Sequence, residues 1–201
     1  MGVIQDFSLA ARFVARAVSK DSTSPSTKSY FMRRVEVEED NGSRVLVATD
    51  GRRLHVAGVP FGSELAAGDS LEIVRAKKRS VDYYVNKVHG YIFPNWRGVV
   101  PDGTLTDGPT IDLTGSAKSI EHSREICKLI QSLPPYGGHL DKYKETGRQA
   151  AVNLSFVEDL AGYVWKTAFT ENGQTALFTA LNDEARAVVA FQPPATDISW
   201  R

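Results

Sequence analysis

The sequence predicts an α+β fold built on antiparallel strands, and three observations carry this prediction. Near the start of the chain, Asn41-Gly42 and Asp50-Gly51 separate runs rich in β-branched residues, and such pairs are the strongest short-range hairpin signal. A helix followed by three strand-like runs occurs there and again near the end. Between these ends, "SIEHSREICKLIQSL" has the apolar spacing of an amphipathic helix.

The first unit is predicted to be a helix followed by a three-stranded meander. Ser8 is the predicted cap of a helix that runs to about Ser19, with apolar residues recurring every four positions. After a polar loop, the three predicted strands end at the two turns named above and before Pro60. Each element is local, so the unit needs no long crossover.

The last unit repeats this plan. Ser155 is the predicted helix cap, and predicted strands follow with turns at Asn172-Gly173 and Asn182-Asp183. The two turns are 9 residues apart in the first unit, from position 41 to 50, and 10 in the last, from 172 to 182. This regular spacing indicates an internal repeat.

The middle of the chain is less regular. "SLEIVRA" and "PTIDLTG" are predicted strands, and "KKRSVDYYVNKV" is a predicted helix. The later amphipathic helix is expected to end before Pro134 and to bury Cys127 on its apolar face. We therefore expect four helices on antiparallel sheet.

A Pro- and Gly-rich stretch from about Pro101 to Pro109 marks the predicted domain boundary. It divides the chain into domains 1–101 and 102–201.

Composition narrows the class of protein. The 201 residues include 24 Lys plus Arg and 24 Asp plus Glu, so overall charge indicates no partner, although local clusters can still bind nucleic acid. The single cysteine excludes an internal disulfide framework and a cysteine metal cluster. Neither a signal-peptide layout nor a membrane-length apolar run is found. We expect a cytoplasmic protein that binds no membrane.

Two motifs resemble one family. "VATDGRRLHVAGV" resembles the Ala-Thr-Asp-Gly-His-Arg-Leu-Ala-Val stretch of the bacterial sliding clamp, the β subunit of DNA polymerase III. "FPNWRGVVP" resembles that family's Phe-Pro-Asp-Tyr-Arg-Arg-Val-Leu-Pro connector. The stretches "LAARFVARAVSKDSTSP" and "NLSFVEDLAGYV" are similar to the family's first-unit helix and final domain. This chain departs from the motifs at Arg52, where the family has His, and at Gly98, where it has Arg.

The resemblance implies a processivity factor without catalytic activity or cofactor. Such clamps encircle duplex DNA without reading its sequence and tether polymerase, with helices lining the channel and sheets forming the outer wall. A two-domain chain would need three copies for a ring of six domains, so a homo-trimer is expected. The expected partners are double-stranded DNA, peptides of DNA polymerase and the clamp loader, and copies of the chain itself.

The resemblance also implies a groove that binds a short apolar peptide. Carried over by position, its residues are Thr49, Gly51, Arg52, Arg53, Leu54, Pro94, Arg97, Val99, Val188 and Ala190. The apolar members would form walls for peptide anchors, and Arg53 could bind a carbonyl or carboxylate. The alternative is an ordinary hairpin with solvated arginines.

Basic residues grouped on predicted helices are candidates for contacts with DNA phosphates, which carry no sequence information. They are Arg12, Arg16 and Lys20, then Lys77, Lys78 and Arg79, then Lys118, Arg124 and Lys128. The alternative, strongest for the third group, is that Glu121 and Glu125 neutralise their helix neighbours Arg124 and Lys128.

Other functions have weaker support. One alternative is an adaptor that keeps the clamp fold and the groove without forming a ring. Another is an enzyme of unrecognised type. The four histidines lie in separate segments without metal-ligand spacing, and neither a phosphate-binding glycine loop nor a Gly-x-Ser-x-Gly elbow is present. We therefore expect no enzyme activity, no metal and no cofactor.

Overall fold

The computed structural model describes residues 3–18, 32–77, 79–87, 93–135 and 150–191. The chain divides into two compact units, which are described separately. Unit 1 consists of Met1–Gly98 and Asn182–Ala187, and unit 2 of Val99–Leu181 and Val188–Arg201.

Unit 1 contains one α-helix, six complete strands and a 3₁₀ helix that begins at its end, within the described residues. These are β1 (Ile4–Asp6), α1 (Leu9–Ala15), β2 (Arg34–Asp40), β3 (Ser43–Thr49), β4 (Arg53–Gly58), β5 (Ser70–Ala76), β6 (Val81–Asn86) and the 3₁₀ helix (Trp96–Val99). The strand order is β1-β6-β5-β2-β3-β4, with the first residues of a further strand, β10 (Ala185–Ala190), beside β4.

Helix α1 begins at the predicted cap. The Ser8 hydroxyl accepts a hydrogen bond from the Ala11 amide at 3.1 Å, which satisfies one of the free donors of the first turn. The helix buries Phe13 and Val14 completely. It ends before the predicted Ser19, which lies outside the described residues, because the Arg16 amide already bonds to the Phe13 carbonyl in a tighter turn.

The meander of unit 1 has the predicted turns. β2, β3 and β4 pair antiparallel, with Val37 opposite Leu46 and Ala48 opposite His55. Gly51 has a φ of +84°, a backbone conformation that glycine adopts without steric cost. The turn signals therefore placed both hairpins correctly.

The predicted helix "KKRSVDYYVNKV" is wrong, because Val81–Asn86 within it form strand β6. Val81 and Tyr83 alternate with less buried neighbours, which is the period-two pattern of a strand. β6 pairs antiparallel with β5 on one side and with β1 on the other. β-branched and aromatic side chains fit this position between two strands better than a helix.

Unit 2 contains the remaining elements. They are β7 (Leu105–Asp112), α2 (Ile120–Gln131), α3 (Leu154–Glu158), β8 (Val164–Thr170), β9 (Thr175–Ala180) and β10 (Ala185–Ala190), whose last residues belong to this unit. β7 pairs with β8, and β8 pairs with β9, both antiparallel. Trp165, Phe178 and Leu160 are completely buried in its core.

Helix α2 lies where it was predicted, but its buried face differs. Leu129 and His122 are buried, whereas Cys127 is exposed and Ile120 is 68% exposed. The expectation of a core cysteine is therefore wrong, since the helix packs through the stripe of His122 and Leu129. The cap of α3 is also corrected: the Asn153 side chain accepts from the Ser155 amide, so Asn153 is the cap.

The structure confirms the α+β fold and its repeat. α1 with β2–β4 and α3 with β8–β10 are both a helix followed by three antiparallel strands. The expected count of four helices is wrong for the described residues, which hold three α-helices and one 3₁₀ helix.

Candidate functional site

The turn between β3 and β4 is held by two polar side chains. The Thr49 hydroxyl donates to the Arg53 carbonyl at 2.7 Å and accepts from the Gly51 amide at 3.0 Å. One oxygen of Asp50 accepts from the amides of Arg52 and Arg53 at 3.0 and 3.1 Å. The turn is therefore fully specified by its own residues.

Arg53 fastens this turn to helix α1. Its Nε donates to the second Asp50 oxygen at 3.1 Å, and its guanidinium donates to the Arg16 carbonyl at 2.6 Å. Arg16 is the C-cap of α1, where cations interact favourably with the helix dipole. Arg53 is buried, with 9% exposure. Its guanidinium is thus engaged inside unit 1.

The two neighbours of Arg53 point elsewhere. His55 bonds to the backbone of α1 as Arg53 does, and side chains alternate along a strand. Leu54 therefore faces away from α1, and it is only 3% exposed. Arg52 is exposed at the tip of the turn.

His55 lies beneath α1 as a neutral side chain. Its ring stacks on Phe13 with centroids 4.3 Å apart, and Nδ1 lies 2.9 Å from the Phe13 carbonyl. Since a carbonyl only accepts, Nδ1 carries the proton. The pKa of His55 is lowered from 6.5 to about 3, mainly because the ring is buried; the hydrogen bond to the Phe13 carbonyl opposes this shift, and the charges of Arg53 and Arg16 add to it.

The connector lies on the sheet face opposite α1. The indole N–H of Trp96 donates to Glu38 at 2.7 Å, and Arg97 donates to Glu38 at 3.1 Å and to Asp40 at 3.3 Å. Arg97 also donates to the Glu39 carbonyl and lies 4.4 Å from the Trp96 ring centroid. Register puts Glu38 and Asp40 on the face away from α1. Their neighbour Val37 pairs with Leu46, and Leu46 pairs with Ala57, which shares a face with His55 beneath α1.

Both motifs therefore contribute residues to the same face of unit 1. Leu54 of the turn and Trp96 of the connector are both buried on the side opposite α1. Pro94 is exposed, and Arg97 is bound to the acidic side chains of β2. The alternating acidic residues of "RVEVEED" could have predicted the contact between β2 and the connector, but Glu38 was not among the predicted site residues.

The other predicted groove residues lie in unit 2. Val99 is 57% exposed at the end of the 3₁₀ helix, Val188 is buried on β10, and Ala190 is exposed at the end of that strand.

A cavity of about 290 Å³ lies in unit 1 beside the connector acids. The β2–β3 turn, Val45, Val56 and the first residues of β10 line it. Arg186 on β10 lies 3.9 Å from Asp40. Asp40 thus faces both Arg97 and Arg186.

The basic residues predicted to contact DNA lie in several settings. On α1, Arg12 donates to the Ser8 carbonyl at 3.1 Å, and the Arg16 carbonyl is held by Arg53. Lys77 and Arg79 lie in the β5–β6 hairpin rather than on a helix, which corrects the prediction, and Lys77 is 2.7 Å from Asp82. Lys20 and Lys78 lie outside the described residues.

The third basic group flanks or lies on α2. Lys118 and Arg124 are exposed. Lys128 donates to the Thr110 carbonyl and lies 3.6 Å from Glu125. The predicted neutralisation of Lys128 by its helix neighbour is therefore observed.

The described ranges contain no group of three or more His, Cys, Asp or Glu side chains placed to hold a metal ion. None of the helices described is long and apolar enough to cross a membrane.

Comparison with known proteins gives matches in structure alone. No protein-family model matches the sequence, and no curated protein does. A DNA polymerase III subunit beta from Borrelia burgdorferi matches 97% of this chain at 10% identity with a TM-score of 0.54. The DNA polymerase sliding clamp from Caulobacter crescentus matches 94% at 16% identity with a TM-score of 0.51. That from Pseudomonas aeruginosa matches 94% at 16% identity with a TM-score of 0.50.

These matches cover nearly the whole chain but only 64–66% of each clamp. The chain thus spans just under two thirds of the length of the proteins it matches. At these identities the comparison establishes architecture, and the two sequence motifs fall on one face of the architecture it establishes. The chain therefore has the fold of the bacterial DNA sliding clamps over just under two thirds of their length.

Proposed function

We propose that the chain is a sliding-clamp-like DNA polymerase processivity factor. It encircles duplex DNA without sequence preference and holds partner peptides of polymerases and clamp loaders on its outer sheet face. The observation that supports this most is the clamp fold along at least 94% of the chain. No step of this function requires bond-making chemistry, so the proposed protein is not an enzyme.

In the proposed mechanism, DNA and peptide use opposite faces of unit 1. Arg12 and Arg16 belong to the α1 side, where loose phosphate contacts would permit sliding. Leu54 and the connector belong to the other side, where Pro94 and Arg52 are exposed. The remaining basic and groove residues are proposed in the same two roles. This division lets the two partners be tested separately.

The ring is proposed to contain three copies, each contributing two units. Closed head-to-tail rings form when the rotation between copies closes. The chain mass is 22.1 kDa, so light scattering over a range of concentrations should give roughly three times this mass. A dimer would contradict the trimeric ring.

A topological experiment tests encirclement directly. The ring is assembled in the presence of a nicked circular plasmid, and the mixture is then moved to high salt. We expect the protein to stay with the circle and to be lost when a single restriction cut linearises it. Equal release from both forms would show simple charge-dependent binding, because salt weakens phosphate contacts regardless of topology.

The second candidate is an adaptor that uses the clamp fold without a ring. The specific observation in its favour is that, among the described residues, only two strands, β5 and β6, lie between the first meander and the 3₁₀ helix of the connector, so a second helix-plus-meander unit is not complete there. A monomer at every concentration, combined with retained peptide binding, would favour this candidate over the ring.

A further inference from the structure

We propose that Asn41, in the turn between β2 and β3, is a site of spontaneous deamidation in the folded protein. Loss of its side-chain amide leaves aspartate or isoaspartate at the cavity of unit 1, which Asn41 helps to line. The modification goes beyond the proposed clamp function, because it depends only on the chemistry of this turn.

The sequence contains two Asn-Gly pairs, Asn41-Gly42 and Asn172-Gly173. Because glycine has no Cβ, the approach to its backbone nitrogen is unhindered. That nitrogen can attack the side-chain carbonyl carbon of the preceding asparagine and close a five-membered ring. The two pairs are equivalent in sequence, so any difference in their reactivity must come from the folded structure.

The second pair is held by hydrogen bonds at both reacting groups. The Gly173 N–H donates to the Thr170 carbonyl at 2.8 Å. The side-chain oxygen of Asn172 accepts from the Gln174 amide at 3.1 Å. Both bonds must break before the Gly173 nitrogen can reach the Asn172 side chain, so the fold protects this pair.

The first pair has no such protection. Neither the Gly42 N–H nor the Asn41 side chain makes a hydrogen bond with any residue in the described part of the chain. Asn41 is exposed, and nothing lies within 4 Å of where a Cβ would stand at Gly42. Asn41 also has a φ of +50°, a conformation that costs energy in residues other than glycine. The two reacting groups are therefore free to meet.

The reaction needs water alone. The Gly42 nitrogen forms a bond with Cγ of Asn41, the Cγ–Nδ2 bond breaks, and the proton of the Gly42 N–H leaves with the amide nitrogen as ammonia. Water then opens the resulting succinimide, adding hydroxyl to one carbonyl carbon and a proton to the ring nitrogen. Opening at the side-chain carbonyl gives aspartate, and opening at the backbone carbonyl gives isoaspartate. The new carboxyl group is ionised at neutral pH.

The product changes the charge at the cavity of unit 1. Asp40, Asp183 and Glu184 line this cavity together with Arg186. Deamidation adds a further carboxylate beside them, and like charges repel. One neutral amide becomes one carboxylate, so the formal net charge of the chain falls from 0 to −1. The modified protein can therefore be separated by anion exchange.

The experiment keeps the full-length protein folded at mildly alkaline pH in heavy-oxygen water, which labels each carboxylate formed during the incubation. Trypsin then releases residues 35–44, in which Asn41 is the only asparagine, and residues 167–186, in which fragmentation separates Asn172 from Asn182. Mass spectrometry follows the label at each site over time. We expect Asn41 to react roughly tenfold faster than Asn172, because the slower pair must first break its hydrogen bonds.

Unfolded protein provides the first control. In urea the hydrogen bonds of both turns are lost, so Asn41 and Asn172 should react at closely similar rates. A ratio in the folded protein no larger than the ratio in urea overturns the proposal, because the folded turns would then make no difference.

Two matched variants assign the acidic form seen by anion exchange. Asn41→Gly removes the side-chain amide and keeps a residue that suits the positive φ of this turn, so the acidic form should no longer appear. Asn172→Gly makes the same change in the other turn and should leave its rate of appearance unchanged. An acidic form that appears at the wild-type rate in Asn41→Gly also overturns the proposal. None of these outcomes bears on the clamp function, since neither DNA nor a partner peptide takes part.

Discussion

The turn Thr49–Arg53 of unit 1 and the turn Thr170–Thr175 of unit 2 have the same core and different extensions. In each, a threonine at the end of a strand bonds to the backbone across the turn, and a glycine has positive φ. In unit 2 the neutral Asn172 accepts from the Gln174 amide at 3.1 Å. In unit 1 the charged Asp50 also accepts a hydrogen bond from Arg53, whose guanidinium donates to the Arg16 carbonyl at the end of α1.

The neutral turn of unit 2 shows that the ionic extension is not needed to form such a turn. Unit 2 forms its turn with neutral groups, and its core depends on close packing, including the edge-to-face pair of Trp165 and Phe178. Unit 1 adds a charged link between turn and helix.

The substitution expected to lower the free energy of unfolding most tests the close packing of unit 2. In Gly108→Ala, the new Cβ would lie 2.3 Å from the Thr167 hydroxyl and 2.5 Å from the Phe169 ring. Thr167 is held by its bond to the Pro109 carbonyl at 2.6 Å, so it cannot move away cheaply. We expect a loss of about 3 kcal/mol in the free energy of unfolding, measured by urea titration.

The matched control is Gly103→Ala, where nothing lies within 4 Å of the new Cβ. It should change the free energy of unfolding by less than about 0.5 kcal/mol. Equal stabilities of the two variants would mean that β7 does not approach β8 as closely as the structure shows.

The next effect tests the charged link of unit 1. Arg53→Leu removes the ionic partner of Asp50 and the donor to the Arg16 carbonyl, both of which are largely buried from water. We expect a loss of about 2–3 kcal/mol in the free energy of unfolding.

The corresponding change in the other turn is Asn172→Ala, which removes one hydrogen bond and should cost about 0.5–1 kcal/mol. If Arg53→Leu costs no more than Asn172→Ala, the comparison between the two turns fails.

The sequence predicted the parts of the fold that local chemistry determines. The Asn-Gly and Asp-Gly pairs placed the hairpins of unit 1 correctly, because positive φ is a local requirement. β6 was mistaken for a helix because its apolar residues fit both periods, and only pairing with β1 and β5 decides between them. Cys127 was misplaced because a helix with apolar residues on two sides does not reveal which side packs.

The candidate site was predictable by position but not by role. The motifs located Arg52, Arg53 and Arg97 on unit 1, yet their partners are distant in sequence. Arg53 reaches a carbonyl 37 residues away, and Arg97 reaches Glu38, 59 residues away. Such long-range contacts leave no local pattern, so the difference between buried Arg53 and exposed Arg52 required the structure.

A smaller effect depends on pH and arises from His55, which is completely buried in unit 1. Folding lowers the pKa of His55 from 6.5 to about 3, so protons bind only the unfolded state in this interval. The stability is fully present above pH 6.5 and falls as the pH drops, by at most about 1.4 kcal/mol per unit. We expect roughly 2 kcal/mol to be lost between pH 7 and pH 5.

The His55→Gln variant isolates this contribution. Glutamine can still donate to the Phe13 carbonyl but does not titrate, so the free energy of unfolding should vary less with pH over the same range. The range lies above the usual pKa of carboxyl groups. Parallel pH profiles for the variant and the wild type would show that His55 is not the titrating group.

The smallest effect concerns the docking of the connector onto β2. The pair Arg97–Glu38 is 3.1 Å long and partly exposed, with 44% and 25% side-chain exposure, and exposed pairs contribute little. A double-mutant cycle of Glu38→Gln and Arg97→Gln should give a coupling of about 0.5–1 kcal/mol, reduced in high salt.

Glutamine at position 38 retains an acceptor for the Trp96 indole, so the Trp96 Nε1–H signal in NMR should stay protected from exchange in that variant. Loss of this protection in Glu38→Gln would mean that the carboxylate charge, and not the indole hydrogen bond, holds the connector. The position of Pro94 in the connector would then depend on an ion pair that salt weakens. The turn between β3 and β4 would not depend on salt in this way, because Arg53, which holds it, is buried in unit 1.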